Sequence, residues 1–312
     1  MNILITGGAG FIGSHLVERL VDLKHKVIFL KRKKTDLWRV KNILSKLAIV
    51  DLDNITLNEV FEKNKVDYII HLATKYVKKD PTKKELVEMI NSNITFPSLL
   101  LDTAAKNNVK GFINTGTCFE YKLTKTKTSE LTPIRPYNFY SATKLAFESI
   151  LSSYVYNEKI KGITLKLFYP YGEKDNNKLI TLIIRSIINN TPLNLTKGEQ
   201  RLDFTYIDDI VDAYIKTLSY ISKMKKFEHE TFNIGSDKVV SVKKVVEILL
   251  NISKKKSRVK IGVLPYSKNE IMYINCNNQK ARRKLNWTPS FNIEKGLIKT
   301  YRYYINNLHE AL

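Results

Sequence analysis

Apolar residues along the chain fall into short runs that alternate with longer amphipathic stretches. Runs at 2–6, 26–30, 47–50, 67–71, 110–115 and 162–167 read as buried strands. Between and after them, helical spacing predicts helices near 12–23, 55–64, 84–107 and 138–157. Strand–helix alternation of this kind predicts an α/β fold, a Rossmann-like doubly wound parallel sheet with ligands beyond the carboxyl ends of its strands. After Gly172 the rhythm changes. Helical stretches at 177–190, 208–222, 241–253 and 293–306 alternate with short extended pieces such as 230–236. We therefore expect a dinucleotide-binding domain over 1–172. A smaller C-terminal lobe over 173–312 is expected to bind substrate, with the chain able to cross between the two. A Lys-Thr run at 122–128 predicts a mobile loop.

The first strand, Asn2–Thr6, leads into Gly7, Gly10, Phe11, Ile12 and Gly13. Glycines three apart between a strand and a helix suit a tight turn that brings backbone close to a pyrophosphate. The helix N-terminus then offers free N–H groups to phosphate. A glycine cluster by itself is weak; its place at strand 1 and helix 1 makes it a cofactor turn.

Strand 2 ends at Lys31, Arg32, Lys33 and Lys34, where an NAD-preferring site usually carries an acid for the ribose hydroxyls. Cations there favour the 2′-phosphate of NADP(H), with Arg32 able to make two hydrogen bonds to it. NAD remains possible, since the run is also consistent with one more basic loop. Asp51 and Leu52 follow strand 3 on the expected adenine side. Leu72, Ala73 and Thr74 follow strand 4 on the nicotinamide-ribose side, and His71 is expected to be packed and hydrogen-bonded.

Tyr140 and Lys144 stand four apart on one predicted helical face. A phenol beside an ammonium can exchange a proton with a substrate C–OH while a nicotinamide exchanges the hydride. Lys144 and an oxidised nicotinamide ring would both favour the phenolate. Thr117, after strand 5, offers a hydroxyl to the same substrate oxygen.

Composition narrows the picture. The 312 residues include 52 Lys and Arg against 30 Asp and Glu, for a net charge of +22. The cations are spread along the whole chain and no groove-reading motif accompanies them, so no nucleic-acid partner is expected. Such a surface would draw in an anionic substrate. No apolar run is long enough for a membrane span. The N-terminus reads as cofactor turn, not signal peptide, and a cytoplasmic location is expected. Cys118 and Cys276 carry no metal-ligand spacing, and no metal is expected.

These segments together resemble the extended short-chain dehydrogenase/reductases, in the NAD(P)-dependent nucleotide-sugar epimerase/dehydratase branch. The resemblance runs nearly end to end. It is carried by Thr6–Ser14, His71–Ala73, Asn114–Tyr121, Tyr140–Lys144, Leu165–Gly172, Asp203–Ala213, Phe232–Ser236 and Leu285–Leu297. It implies a catalytic triad of Thr117, Tyr140 and Lys144, and a nucleotide-sugar substrate. It also places Asn93, Thr115, Phe168 and Pro170 on the cofactor side and Cys118, Phe119, Tyr169 and Arg201 on the substrate side. Relatives often pair through the long helices, which implies a homodimer.

Departures narrow the activity. The family's 4,6-dehydratases carry an Asp-Glu pair after the triad hydroxyl, where this chain has Cys118 and Phe119. Epimerases usually keep an acid after strand 2. The strand 2 terminus, Trp38-Arg39 and the segment after Gly116 look like bacterial NDP-4-keto-6-deoxyhexose reductases of the CDP-abequose synthase kind. The expected reaction is NADPH-dependent reduction of a keto group, at C4, on a nucleotide-linked deoxysugar for surface polysaccharide. A C4 epimerase with retained NAD is the alternative.

Overall fold

The computed structural model describes residues 1–77, 81–157, 159–175 and 178–307. Seven parallel strands form its central sheet: β1 (Asn2–Thr6), β2 (Lys26–Lys31), β3 (Ala48–Asp51), β4 (Tyr68–His71), β5 (Gly111–Thr117), β6 (Lys161–Leu167) and β7 (His229–Ile234). Their spatial order is β7-β6-β5-β4-β1-β2-β3. Ile3, Leu4 and Ile5 are all fully buried, which is why β1 reads as an unbroken apolar run: helices cover both faces.

The expected boundaries hold within a residue or two, and β5 runs on to bring Thr117 to its end. The piece 230–236, expected in the smaller lobe, instead supplies β7, paired with β6 from His229↔Gly162 to Ile234↔Leu167. Phe232 and Ile234 are fully buried there, an apolar content that a surface piece would not need.

The helices are α1 (Phe11–Asp22), α2 (Leu57–Lys63), α3 (Lys83–Ile90), α4 (Phe96–Lys106), α5 (Phe139–Tyr156), α6 (Leu179–Asn189), α7 (Ile207–Lys223), α8 (Val242–Ser253), α9 (Gln279–Leu285) and α10 (Ile293–Asn306). Asn177, the expected start of α6, lies outside the described residues. Thr56 with Glu59 and Thr82 with Glu85 form capping boxes that start α2 and α3. The single helix expected over 84–107 is α3 and α4 joined by a π turn at Asn91–Thr95. Pro97 follows that turn and has no N–H to give to the carbonyl of Asn93.

Beyond β6, two-residue strands build the smaller lobe, where Arg201–Leu202 pairs with Val240–Ser241 and Tyr273–Ile274. The loop expected to be mobile at 122–128 is tied at both ends. Lys122 N–H bonds Pro133 O, and Thr128 is buried with its N–H on Asn275 O. Among the described residues no helix is long and apolar enough to cross a membrane.

Candidate active site

The chain leaves β1 for β2 on one side and reaches β4 on the other, so the strand order reverses between β1 and β4. That switch point is where a doubly wound sheet opens a crevice. Gly7 fills it with φ of +69°, and an added Cβ would meet Ala73 N at 2.5 Å and Leu72 C at 2.7 Å. At Gly13 a Cβ would lie 2.1 Å from Gly7 O. The turn therefore packs backbone on backbone. Gly10 caps α1 without a side chain, and the first turn of α1 holds no acid. Phe11 is buried and Ile12 half-buried as that turn begins. An open helix end with no competing carboxylate suits a pyrophosphate.

At the far end of β2 the expected cations separate into two kinds. Lys31 Nζ lies 2.5 Å from Asp51 Oδ2, so these two residues neutralise each other. Lys31 is thus not a free phosphate ligand, and Asp51, expected on the adenine side, is held by Lys31. The Lys31 ammonium holds the Asp51 carboxyl below the usual carboxylate range. Leu52 N–H bonds Lys31 O and fastens the two strand ends. Arg32 and Lys33 remain exposed. Arg39 stands nearby over the Trp38 ring at 4.3 Å and donates to Lys174 O and Ala9 O, beside the glycine turn.

The three catalytic candidates come from two adjoining elements. Thr117 ends β5; Tyr140 and Lys144 lie on the first turns of α5, which Asn138 starts by accepting the Ser141 N–H at 2.9 Å. Tyr140 meets the Tyr76 ring edge-on at 4.9 Å and is hydrogen-bonded to Thr74. Burial raises the Tyr140 phenol above its ordinary value, and the Thr74 contact only partly offsets this. At neutral pH the group is a protonated acid. Lys144 is 1% exposed and its Nζ has no hydrogen-bond partner among the described residues. A buried ammonium without an acceptor is costly, and the ribose hydroxyls of a dinucleotide would supply one. Burial lowers Lys144 to about 8 against the pull of Glu120 and Glu148. The glycine turn and this orphaned ammonium fit a nicotinamide dinucleotide.

Several cofactor-side residues play other parts. Asn93, in the π turn, is fully buried. Its Oδ1 accepts Thr74 Oγ1–H and Lys75 N–H, and its Nδ2 donates to Lys75 O and Thr143 Oγ1. All four capacities of the amide are used, so it clamps protein rather than touching cofactor. The Thr115 hydroxyl is likewise engaged, with His71 O and Tyr214. Phe168 is fully buried and leaves its side chain no surface for a ligand. Pro170 stays half-buried, paired with Thr205. His71 packs as expected, its Nδ1 2.7 Å from Thr6 Oγ1.

A chamber of about 870 Å³ opens on Tyr140, bounded by Lys122, Arg135, Tyr137, Asn269 and Glu270 among others. Phe119 sits beside it, against Tyr137 at 6.0 Å and edge-on to Tyr169 at 5.6 Å. Tyr169 holds φ at +27°, a strained backbone for a bulky residue, between Phe119 and Phe204. Cys118 is 3% exposed and belongs to the core, which removes its side chain as a substrate contact. Arg201 lies exposed on the smaller lobe.

Residues 3–235 match the model of the NAD dependent epimerase/dehydratase family. The chain belongs to that family. CDP-abequose synthase of Salmonella muenchen is 29% identical over 303 residues, covering 95% of this chain and 96% of that one. The UDP-glucose 4-epimerase of Thermotoga maritima, solved with UDP-glucose, superposes with a TM-score of 0.88 at 25% identity, over 99% of this chain and 100% of that one. The UDP-glucuronic acid 4-epimerase of Bacillus cereus, solved with UDP-glucuronic acid and NAD, gives 0.86 at 26%, again over 99% and 100%. This family member is thus an enzyme of the extended short-chain dehydrogenase/reductase class, as its motifs imply.

Four buried charged residues were given no role by the sequence reading. Glu120, Glu148 and Lys166 form a buried ionic cluster. A signal existed: Glu148 continues the four-residue spacing of Tyr140 and Lys144, and Lys166 interrupts an apolar strand. Asp203 is fully buried and accepts from Ser236 N and Oγ, Asp237 N and Cys276 N. It ties the end of β7 to the smaller lobe.

Proposed function

We propose that this enzyme reduces the keto group at C4 of a nucleotide-linked deoxysugar with NADPH. The observation that carries the reading is the Lys31–Asp51 pair. It occupies the acid at the end of β3 and leaves Arg32 exposed where a 2′-phosphate would lie. NADPH held at the glycine turn and by Lys144 would supply the hydride for the new C–H bond at the keto carbon and leave as NADP⁺. Tyr140 gives its proton to the carbonyl oxygen, which becomes the hydroxyl, and solvent later returns that proton. Thr117 orients the same oxygen, and Lys144 holds the cofactor ribose and stabilises the transient phenolate. Glu120, three residues after Thr117, is turned into the protein, so no acid after the triad hydroxyl faces a C5–C6 elimination.

The aromatic wall of Phe119, Tyr137 and Tyr169 suits a sugar with a methyl at C6. The chain's likeness to CDP-abequose synthase supports a nucleotide-linked deoxysugar product; on the same proposal it is made in the cytoplasm for surface polysaccharide. A homodimer fits the exposed Val87 and Leu99 on α3 and α4. Mixing the enzyme with NADPH and a panel of nucleotide-linked 4-keto-6-deoxyhexoses tests the reading: loss of nicotinamide absorbance with a new hydroxyl at C4 is expected. No turnover with any base sinks it.

The second reading, C4 epimerisation with a retained NAD, draws on the superposed 4-epimerases. Denaturing the purified protein and identifying the released nicotinamide separates the two. Stoichiometric NAD supports the epimerase, and empty protein or NADP(H) the reductase.

A further inference from the structure

The cluster behind the triad links both halves of the site. Glu120 is fully buried, and its Oε1 accepts the Thr117 N–H at 2.7 Å. Its Oε2 lies 3.0 Å from Lys166 Nζ, which also lies 3.1 Å from Glu148 Oε2. Glu148 stands one helical turn after Lys144 on α5 and accepts the Thr231 hydroxyl of β7 at 2.8 Å. Lys166 Nζ sits 4.6 Å from the Tyr121 ring.

Two carboxyls and the Lys166 ammonium are thus buried together, and Lys144 is buried one helical turn before Glu148 on the same helix. The other groups around them are His71 on β4, next to Lys144, and His229 on β7, next to Glu148. Tyr140 lines the chamber, and Cys118 is buried in the turn that carries Glu120. Burial raises Glu120 to about 8, opposed by Lys166 and aided by Glu148. Beside them burial disfavours the charge of Lys144, while Glu120 and Glu148 both favour it.

We infer that Glu120 is a positioning residue of the reaction. Through the Thr117 N–H it fixes the hydroxyl that meets the substrate oxygen. With Glu148 it keeps Lys144 cationic inside a site closed to water. Lys144 then holds its charge for the cofactor ribose and for the phenolate left when Tyr140 gives up its proton. The inference rests on the cofactor part of the proposed function and not on the identity of the sugar.

Its test therefore needs no sugar. The affinity of the full chain for NADPH, or NADH if that binds better, is titrated from about pH 6 to about pH 9.5 by nicotinamide fluorescence. Wild type should lose affinity on the alkaline side as Lys144, lowered by burial from the ordinary lysine value, gives up its proton. Glu120→Gln keeps an acceptor for Thr117 but no longer carries charge. Its loss of affinity should begin about one pH unit lower, giving about tenfold weaker binding at alkaline pH and near-equal binding at acid pH. Glu120→Asp should move the curve back toward wild type.

A Glu120→Gln curve parallel to wild type, whether unchanged or uniformly weaker, overturns the inference, because a merely structural ion pair would do that. Wild type that binds neither cofactor overturns it as well. If Glu120→Gln does not fold, Glu148→Gln should displace the curve in the same direction. Normal cofactor binding with no turnover of any keto sugar would instead fault the proposed substrate and leave this inference standing.

Discussion

Lys31 Nζ meets Asp51 Oδ2 at 2.5 Å, across the carboxyl ends of two neighbouring strands, β2 and β3, paired in register. A carboxylate on the expected adenine side, which would repel a 2′-phosphate if left free, is held by a cation from the next strand. Cofactor choice should follow that pairing. Lys31→Ala frees the Asp51 carboxylate and should shift preference toward NADH, mainly by raising KM for NADPH. Arg32→Ala removes a charged donor to the 2′-phosphate and should raise KM for NADPH about tenfold or more while barely moving that for NADH. Parallel changes for both cofactors in Arg32→Ala would count against NADP(H) recognition at this corner.

The Tyr140 phenol is protonated at neutral pH, and burial holds its pKa above the ordinary value. An acid that keeps its proton until charge develops on the substrate oxygen suits reduction. Tyr140→Phe keeps the ring against Tyr76 and should leave cofactor affinity within a few-fold. Turnover should fall by about 10²–10⁴, the range for losing a positioned proton donor. Retained turnover would remove Tyr140 from the chemistry.

The sheet was legible because its strands are short apolar runs punctuated by helical spacing. The crevice was legible because Gly7 and Gly13 do a steric job that leaves no room for a Cβ. What escaped depends on partners far apart in sequence. Lys31 looked like one member of a basic run until β3 brought Asp51 beside it. Asn93 carried a resemblance to cofactor-side residues, yet its four partners come from the β4 loop and α5. Glu120, Glu148 and Lys166 are ordinary charges along the chain, and only burial makes them a cluster. The π turn at Asn91–Thr95 could not be read from periodicity, since an apolar pattern survives one inserted residue.

Asn93 ties three segments together from inside that turn. Asn93→Ala leaves Thr74, Lys75 and Thr143 without their partners in a buried place. It should destabilise the protein by about 2–4 kcal/mol, measured by urea unfolding, since each orphaned group carries a desolvation cost. Thr143 also donates to Tyr140 O, so kcat should fall with stability. Asn93→Asp should not rescue either, because it cannot donate to Lys75 O and Thr143. Full stability in Asn93→Ala would show that the turn holds without the clamp.

His71 gives a pH prediction with a definite sign. The ring is fully buried, and burial first, then Lys144, lowers its pKa well below 6.5. The folded ring therefore stays neutral while the unfolded one takes up a proton as pH falls past 6.5. Stability from the neutral ring is fully present above that value and is lost below it, at up to about 1.4 kcal/mol per pH unit. His71→Asn retains a partner for Thr6 but has no such proton uptake. Wild type should be the more stable at pH about 7.5, and the gap should narrow by about 1–2 kcal/mol by pH about 5. Unfolding midpoints in urea for both proteins at the two pH values check this. His15 and His229 are also lowered by burial but are present in both proteins, so their contribution cancels in the difference. A gap that stays constant across that range would mean the His71 ring takes up its proton in the folded protein as readily as in the unfolded one.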